Sequence, residues 1–183
     1  MLAAMTPLPP PRRRAPLAGL LAVLLALGSG SGAAAQPEPE PVRVAVFDFE
    51  LIDTSLEGEM MGPQAAEAER LGRLGERLRE AVASAPGFEV VPIAPVAEEA
   101  RARRLQGCGG CDRDLAERLG ADWAVTGTVQ KVSNLILNVN LYVREVEGGE
   151  TIQTMSADIR GNTDESWSRG LDWLIRNRLD LDG

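Results

Sequence analysis

The sequence predicts a single mixed α/β domain: one mixed sheet, a carboxy-terminal three-strand antiparallel meander, and helices mainly on one face. Three observations lead there. The first half alternates short β-branched segments with stretches of helical apolar spacing, the pattern of parallel strands joined by crossovers. The second half holds three alternating segments in series, separated by short turns, as in a meander. An amphipathic segment then closes the chain. The 183 residues are 44% hydrophobic and 25% charged, an ordinary globular composition with enough apolar side chains for one core.

The predicted order is β-α-β-α-α-β-β-β-α. Val42 to Leu51 reads as an interior strand, with Val42, Val44 and Val46 on one face and Ala45, Phe47 and Phe49 on the other. Asp53 to Pro63 reads as a loop. From Gln64 to Ala85, Leu71, Leu74, Leu78 and Val82 repeat at helical spacing. Gly72 and Gly75 each cost that helix about 1 kcal/mol relative to Ala and are expected to mark close packing on the sheet. Pro86-Gly87 ends it. Phe88 to Pro92 is a short strand whose proline suggests an edge or a strand end. Pro95 to Leu105 is helical, and Gln106 to Cys111 breaks the helix. Asp112 is expected to cap a short helix that stops at Gly120.

Ala121 to Val132, Leu135 to Val146 and Thr151 to Arg160 form the three-strand series. In the middle strand Leu135, Leu137, Val139, Leu141 and Val143 face the core, while Asn138, Asn140, Tyr142 and Arg144 face water. Asn162 is expected to open the last helix, with Glu165 at capping-box spacing. Trp167, Leu171, Leu174 and Ile175 share one side. At 100° per residue Trp173 lies about 240° around from Trp167, outside that stripe.

Residues 1–35 are read as a cleaved export signal. They combine Arg12, Arg13 and Arg14, the apolar run Ala18 to Leu27, and Ala33-Ala34-Ala35 before Gln36. The apolar run is about half the roughly 20 residues a spanning helix needs. Residues 36–41, Gln36-Pro-Glu-Pro-Glu-Pro41, are an extended, solvated lead-in, and 42–183 are the domain. A periplasmic or secreted protein follows, with no stable membrane insertion after cleavage.

Composition excludes several chemistries. The chain has no histidine and two cysteines, so it holds no Ser-His-Asp or Cys-His nucleophile and no structural zinc site. With 19 Lys+Arg against 27 Asp+Glu, it is a poor match for nucleic acid.

Five segments carry a resemblance: Phe47 to Glu57, Cys108 to Cys111, Gly120 to Gly127, Gln130 to Asn138 and Ile159 to Trp167. Together they resemble a family of predicted secreted bacterial proteins of unknown function, over nearly all of the mature chain. More distantly, Gly120-Ala-Asp-Trp-Ala-Val-Thr-Gly127 is similar to the TolB amino-terminal and curli-secretion type of α/β domain. The resemblance implies a fold and an envelope compartment, and no reaction. Some relatives occur among genes for periplasmic quinoprotein dehydrogenases, which hints at a class of partner.

Cys108-Gly-Gly-Cys111 reads as a disulfide in an oxidising compartment. Its role is a clip on a Gly-rich loop or a redox dithiol, and the helix-to-helix context favours the clip. Asp53, Glu57 and Glu59 offer oxygens to a hard cation, but a solvated acidic loop is the simpler reading. The candidate partner or ligand surface is Asp53, Thr54, Asn162, Asp164 and Trp173. No cofactor, metal or catalytic residue is expected. The expected function is a non-enzymatic periplasmic accessory module that binds a protein or small ligand. The alternatives are a thiol-disulfide redox protein using Cys108 and Cys111, and a secretion or envelope-assembly component.

Overall fold

A computed structural model describes residues 39–181. The predicted export signal and residues 36–38 of the lead-in lie outside the described residues, while Pro39, Glu40 and Pro41 are exposed and irregular. The domain is a mixed α/β structure on one six-stranded sheet. Its strands are β1 (Val42–Val46), β2 (Glu50–Asp53), β3 (Phe88–Val90), β4 (Trp123–Ser133), β5 (Ile136–Glu145) and β6 (Thr151–Ile159). The helices are α1 (Leu56–Met61), α2 (Ala65–Ala83), α3 (Ala97–Ala102), α4 (Cys111–Arg118) and α5 (Asp164–Asn177), and a short 3-10 turn at Ala94–Val96 leads into α3.

The sheet order is β3-β1-β4-β5-β6, with β2 also beside β4. β1 pairs in parallel with both β3 and β4, and β4, β5 and β6 form the antiparallel meander. The two long helices, α2 and α5, cover one face. Leu74, Leu78 and Val82 of α2 and Trp167, Leu171 and Leu174 of α5 pack there against Val125, Val139 and Leu141. On the opposite face α3 and α4 cover only the β1–β4 part, through Ala100, Leu115 and Ala116 against Ala45, Phe47 and Ala124. The rest of that face carries the half-buried Asn138, Asn140 and Tyr142.

Several elements differ from expectation, each for a local reason. The single strand Val42 to Leu51 is two strands. Val46 pairs with Val125 and Glu50 with Thr128, so three residues of this segment oppose two of β4. This bulge reverses the alternation. Phe47 stays on the α3–α4 face, whereas Phe49 crosses to the α2–α5 face. Its ring lies where a side chain at Gly127 would stand. The predicted loop after Asp53 contains α1, capped by Ser55, whose hydroxyl accepts from Gly58 N at 3.1 Å. The helix expected to reach Leu105 ends at Ala102.

Asp112 is not a cap: α4 starts at Cys111 after Gly110, and the Asp112 carboxylate is fully buried against Arg144 at 3.0 Å. Thr163, rather than Asn162, caps α5, its hydroxyl accepting from Ser166 N at 3.2 Å. Gly75 does sit tightly, beside Arg79 and Asp48, but nothing approaches Gly72.

Candidate functional site

β4 carries its alternation one step beyond the apolar part of the core. Val125, Gly127 and Val129 share a face, and the next position on it is Lys131, fully buried. Lys131 is the one lysine among the 19 basic residues of the chain. Its Nζ lies 2.7 Å from Glu67, 3.1 Å from Glu57 and 3.3 Å from Asp53. Three carboxylates thus meet the three N–H donors of one ammonium, a geometry a planar guanidinium does not match.

Each carboxylate comes from a different element. Asp53 ends β2, Glu57 lies in α1, and Glu67 is a buried residue of α2. Desolvation opposes the charged form of Lys131, but hydrogen bonds to Glu67, Glu57 and Asp53 outweigh it, and its pKa is raised above the ordinary lysine range. Burial likewise pushes the Asp53 carboxyl up, but Ser55 and Lys131 outweigh this and hold it below its ordinary value. Hydrogen bonds from Lys131 and Asn134 lower that of Glu57.

The polar set extends outward. Asn134, at the β4–β5 turn, donates to Glu57 at 2.7 Å. Asn162 donates to Glu67 at 2.6 Å and to Asn134 at 3.0 Å, and accepts from Arg70 at 3.2 Å. Arg70 also donates to Asp164 at 2.6 Å and lies over the Trp167 ring. Four of the five surface candidates therefore gather at one end of the sheet. Asp53 and Asn162 are inside the network, and Asp164 joins it through Arg70. Thr54 is tied to the Lys131 carbonyl by its N–H at 2.9 Å and its hydroxyl at 3.2 Å. Asp53 and Glu57 thus converge on an ammonium, and among the described residues no group of three acids or thiols could hold a metal ion.

This polar set joins two elements that expose apolar side chains. Among the described residues eight large hydrophobic side chains are exposed, and six of them are Leu56, Met60 and Met61 of α1 and Val132, Leu135 and Ile136 of the β4–β5 hairpin. Glu57 bonds to both Lys131 and Asn134 and so joins these two elements.

Trp173, the fifth candidate, lies elsewhere. It is 43% exposed and overlooks a cleft of about 460 Å³ along β6, from Ser156 to Arg160. Cys108 and Cys111 are joined to each other, with Cα atoms 5.8 Å apart, on the turn before α4.

Lys131 and Glu67 were not among the residues singled out from sequence, yet both leave a trace there. Each is a charge at a position its own periodicity assigns to the core: Glu67 continues the stripe of Leu71, Leu74 and Leu78, and Lys131 that of Val125 and Val129.

The fold and this end define a mixed α/β module with a buried lysine held by three carboxylates. The chain belongs to the DUF3280 family, described as a protein of unknown function (DUF2380), which matches residues 42–179. No match was found among curated proteins. Solved structures with a similar fold include the LpoB C-terminal domain from Salmonella enterica, 17% identical with TM-score 0.48, covering 69% of this chain and 87% of that one. The LpoB C-terminal domain from Escherichia coli is also 17% identical, with TM-score 0.46, covering 69% and 88%. Lipoprotein GNA1162 from Neisseria meningitidis is 18% identical, with TM-score 0.45, covering 76% and 100%. At these identities and scores the likeness does not extend to function.

Proposed function

We infer that the protein is a non-enzymatic accessory module of the bacterial envelope that docks a partner protein through the apolar end of its sheet. The exposed apolar side chains of these two joined elements, Leu56, Met60 and Met61 of α1 and Val132, Leu135 and Ile136 of the hairpin, carry this reading. Large apolar side chains exposed together on a water-exposed domain mark an interaction surface. The Lys131 network holds both elements in place, so little ordering entropy is lost on docking. The two methionines adapt to an irregular partner. Glu59 is an acidic neighbour of these side chains in α1, a helix without a basic residue, so the partner has an apolar centre and a basic rim. A net charge of −8 disfavours an anionic bilayer as the occupant.

In this reading residues 1–35 are the export signal, 36–41 the lead-in and 42–183 the working domain of a periplasmic or secreted protein. Among the described residues no helix is long and apolar enough to cross a membrane. The distant TolB amino-terminal and curli-secretion kinship belongs to the same reading, as does a role in secretion or envelope assembly. Quinoprotein dehydrogenase systems are the partner class suggested by the family resemblance.

Crosslinking capture from periplasmic extract tests it. A partner held by the wild type is lost with Met60→Glu/Leu135→Glu, while the urea midpoint is unchanged. Undiminished capture by the variant overturns the assignment of this surface.

A second reading rests on Cys111, the first residue of α4, bonded to the exposed Cys108. A helix amino terminus lowers a thiol pKa and favours exchange. A reduction potential below about −300 mV marks a structural clip, and a more oxidising one supports a thiol-disulfide protein.

A further inference from the structure

β2 has one strand neighbour among the described residues, β4. Its other edge continues the side of β1 that β3 occupies. β3 pairs only as far as Val44, by Val90, and Val91 N then donates to the Val44 carbonyl at 3.0 Å. Pro92 follows, with no N–H to continue the ladder. The strand lane beside β2 is therefore vacant.

A cleft of about 430 Å³ occupies this position. Five consecutive residues, Asp48 to Ile52, line it. Consecutive lining is what a strand edge presents, since a strand face shows every second residue. Thr54 N donates to the Lys131 carbonyl at 2.9 Å, so by the alternation of a parallel ladder the N–H and C=O of Leu51 point away from β4, towards the cleft. The opposite wall is the end of α3 and the turn after it, with Arg101, Arg103, Arg104 and Leu105.

The acids of the cleft are already engaged. Asp48 pairs with Arg79 and, at 3.6 Å, with Arg101, and Glu50 accepts from Leu105 N at 2.5 Å. Arg103 pairs with Glu99 at 2.7 Å, both at least one-third exposed. Arg104 is exposed and its charge attracts the Glu50 carboxylate across the cleft. Arg101 also pairs with Glu98 at 2.6 Å, so three arginines stand against two lining carboxylates beside an open strand edge.

We propose that this cleft binds an extended acidic peptide segment of a partner protein, added as a strand beside β2, with its carboxylates on Arg103 and Arg104. Backbone bonds to Leu51 supply register, and the arginines supply preference for acidic side chains. The site is separate from the apolar end, so either can fail alone.

The test uses the purified protein and three blocked hexapeptides: alternating Val-Glu, alternating Val-Lys, and the Val-Glu peptide N-methylated at every residue. Calorimetry should show binding of the first, with the other two about tenfold or more weaker, a difference of about 1.4 kcal/mol. R103E/R104E should lose the same factor with an unchanged melting temperature. Hydrogen exchange should slow at Leu51 when the Val-Glu peptide is bound. Failure of the Val-Glu peptide to bind, equal binding of the Val-Lys or N-methylated peptide, or protection at β6 instead of β2 overturns the proposal.

Discussion

Lys131 is costly to remove because its three partners remain. Replacing it with Met leaves Glu67 buried, and one Glu67 oxygen, Oε2, already lacks a hydrogen-bond partner. Breaking a buried charge pair from one side costs about 3–5 kcal/mol. Lys131→Met should therefore lower the urea-derived stability by about that amount, and Lys131→Met/Glu67→Met should recover much of it. A single variant no less stable than the double would show that the ammonium does not hold these elements.

The network also sets a pH window. Asp53 and Glu57 have lowered pKa values, so their contribution is present above about pH 4 and is lost as pH falls through the folded values. Lys131 has a raised pKa, so its contribution is present below about pH 10 and is lost as pH rises through the folded value. The melting temperature should show a plateau between these limits, and Lys131→Met should flatten both slopes. Gly127 is constrained by shape rather than charge, because an added methyl group runs into the Phe49 ring. Gly127→Ala should destabilise by about 1–3 kcal/mol, the usual range for overpacking a core, as read by urea unfolding.

The helix α5 is set by two contrasts. Its apolar stripe puts Trp167 at 1% exposure and Trp173 at 43%. Its charged side meets α2, where Arg70 and Arg73 hold Asp164 at 2.6 and 2.8 Å and Arg77 forks onto Asp172. Gly170 lets the helix lie close on β6, since an added Cβ there would meet Ile159. Trp167→Ala should cost about 3–5 kcal/mol, as for other buried large aromatics. Trp173→Ala should stay within about 1 kcal/mol. Urea melts of the two variants compare them directly, and equal losses would place the helix the other way round. The periodicity of 167, 171 and 174 made this orientation legible in advance. The cap was less legible: Asn162 and Thr163 both suit a helix start, and the choice fell to Thr163 because Asn162 is engaged by Glu67 and Asn134.

Across the whole molecule the ordering runs from a closed core to open edges. β6 ends the sheet on one side, and β2 leaves a second edge inside it. The Cys108–Cys111 bond lies on the turn that follows the β2 cleft wall. Two residues separate the cysteines, so the closed loop is small. The entropy model then gives less than the roughly 3 kcal/mol of a 15-residue loop. A Cys108→Ser/Cys111→Ser variant should stay folded, with a melting temperature only a few degrees lower, about 1 kcal/mol or less in stability. Retained partner capture by this variant fits a clip, whereas a folded variant that captures nothing favours the redox reading.

Local periodicity by itself determined the fold class, the meander, the two long helices and most of the core-facing stripes, because each depends on residues a few positions apart. But Leu135, expected on the core face of the middle strand, lies in the β4–β5 turn and is 72% exposed. The bulge between β1 and β2 was not readable that way. Val42 to Leu51 is apolar on both faces, and the extra residue shows only when the chain is laid against β4. The short α1 was equally hidden, because Leu56-Glu-Gly-Glu-Met-Met61 is too short and too polar to show a stripe. The Lys131 site lay beyond local reading for the same reason. Asp53 and Glu57 look like solvated charges, and Glu67 and Lys131 show only as charges within apolar stripes, until four elements distant in sequence come together. Tertiary structure decided their partners, because desolvating an ammonium is tolerable only where carboxylates from distant segments arrive together.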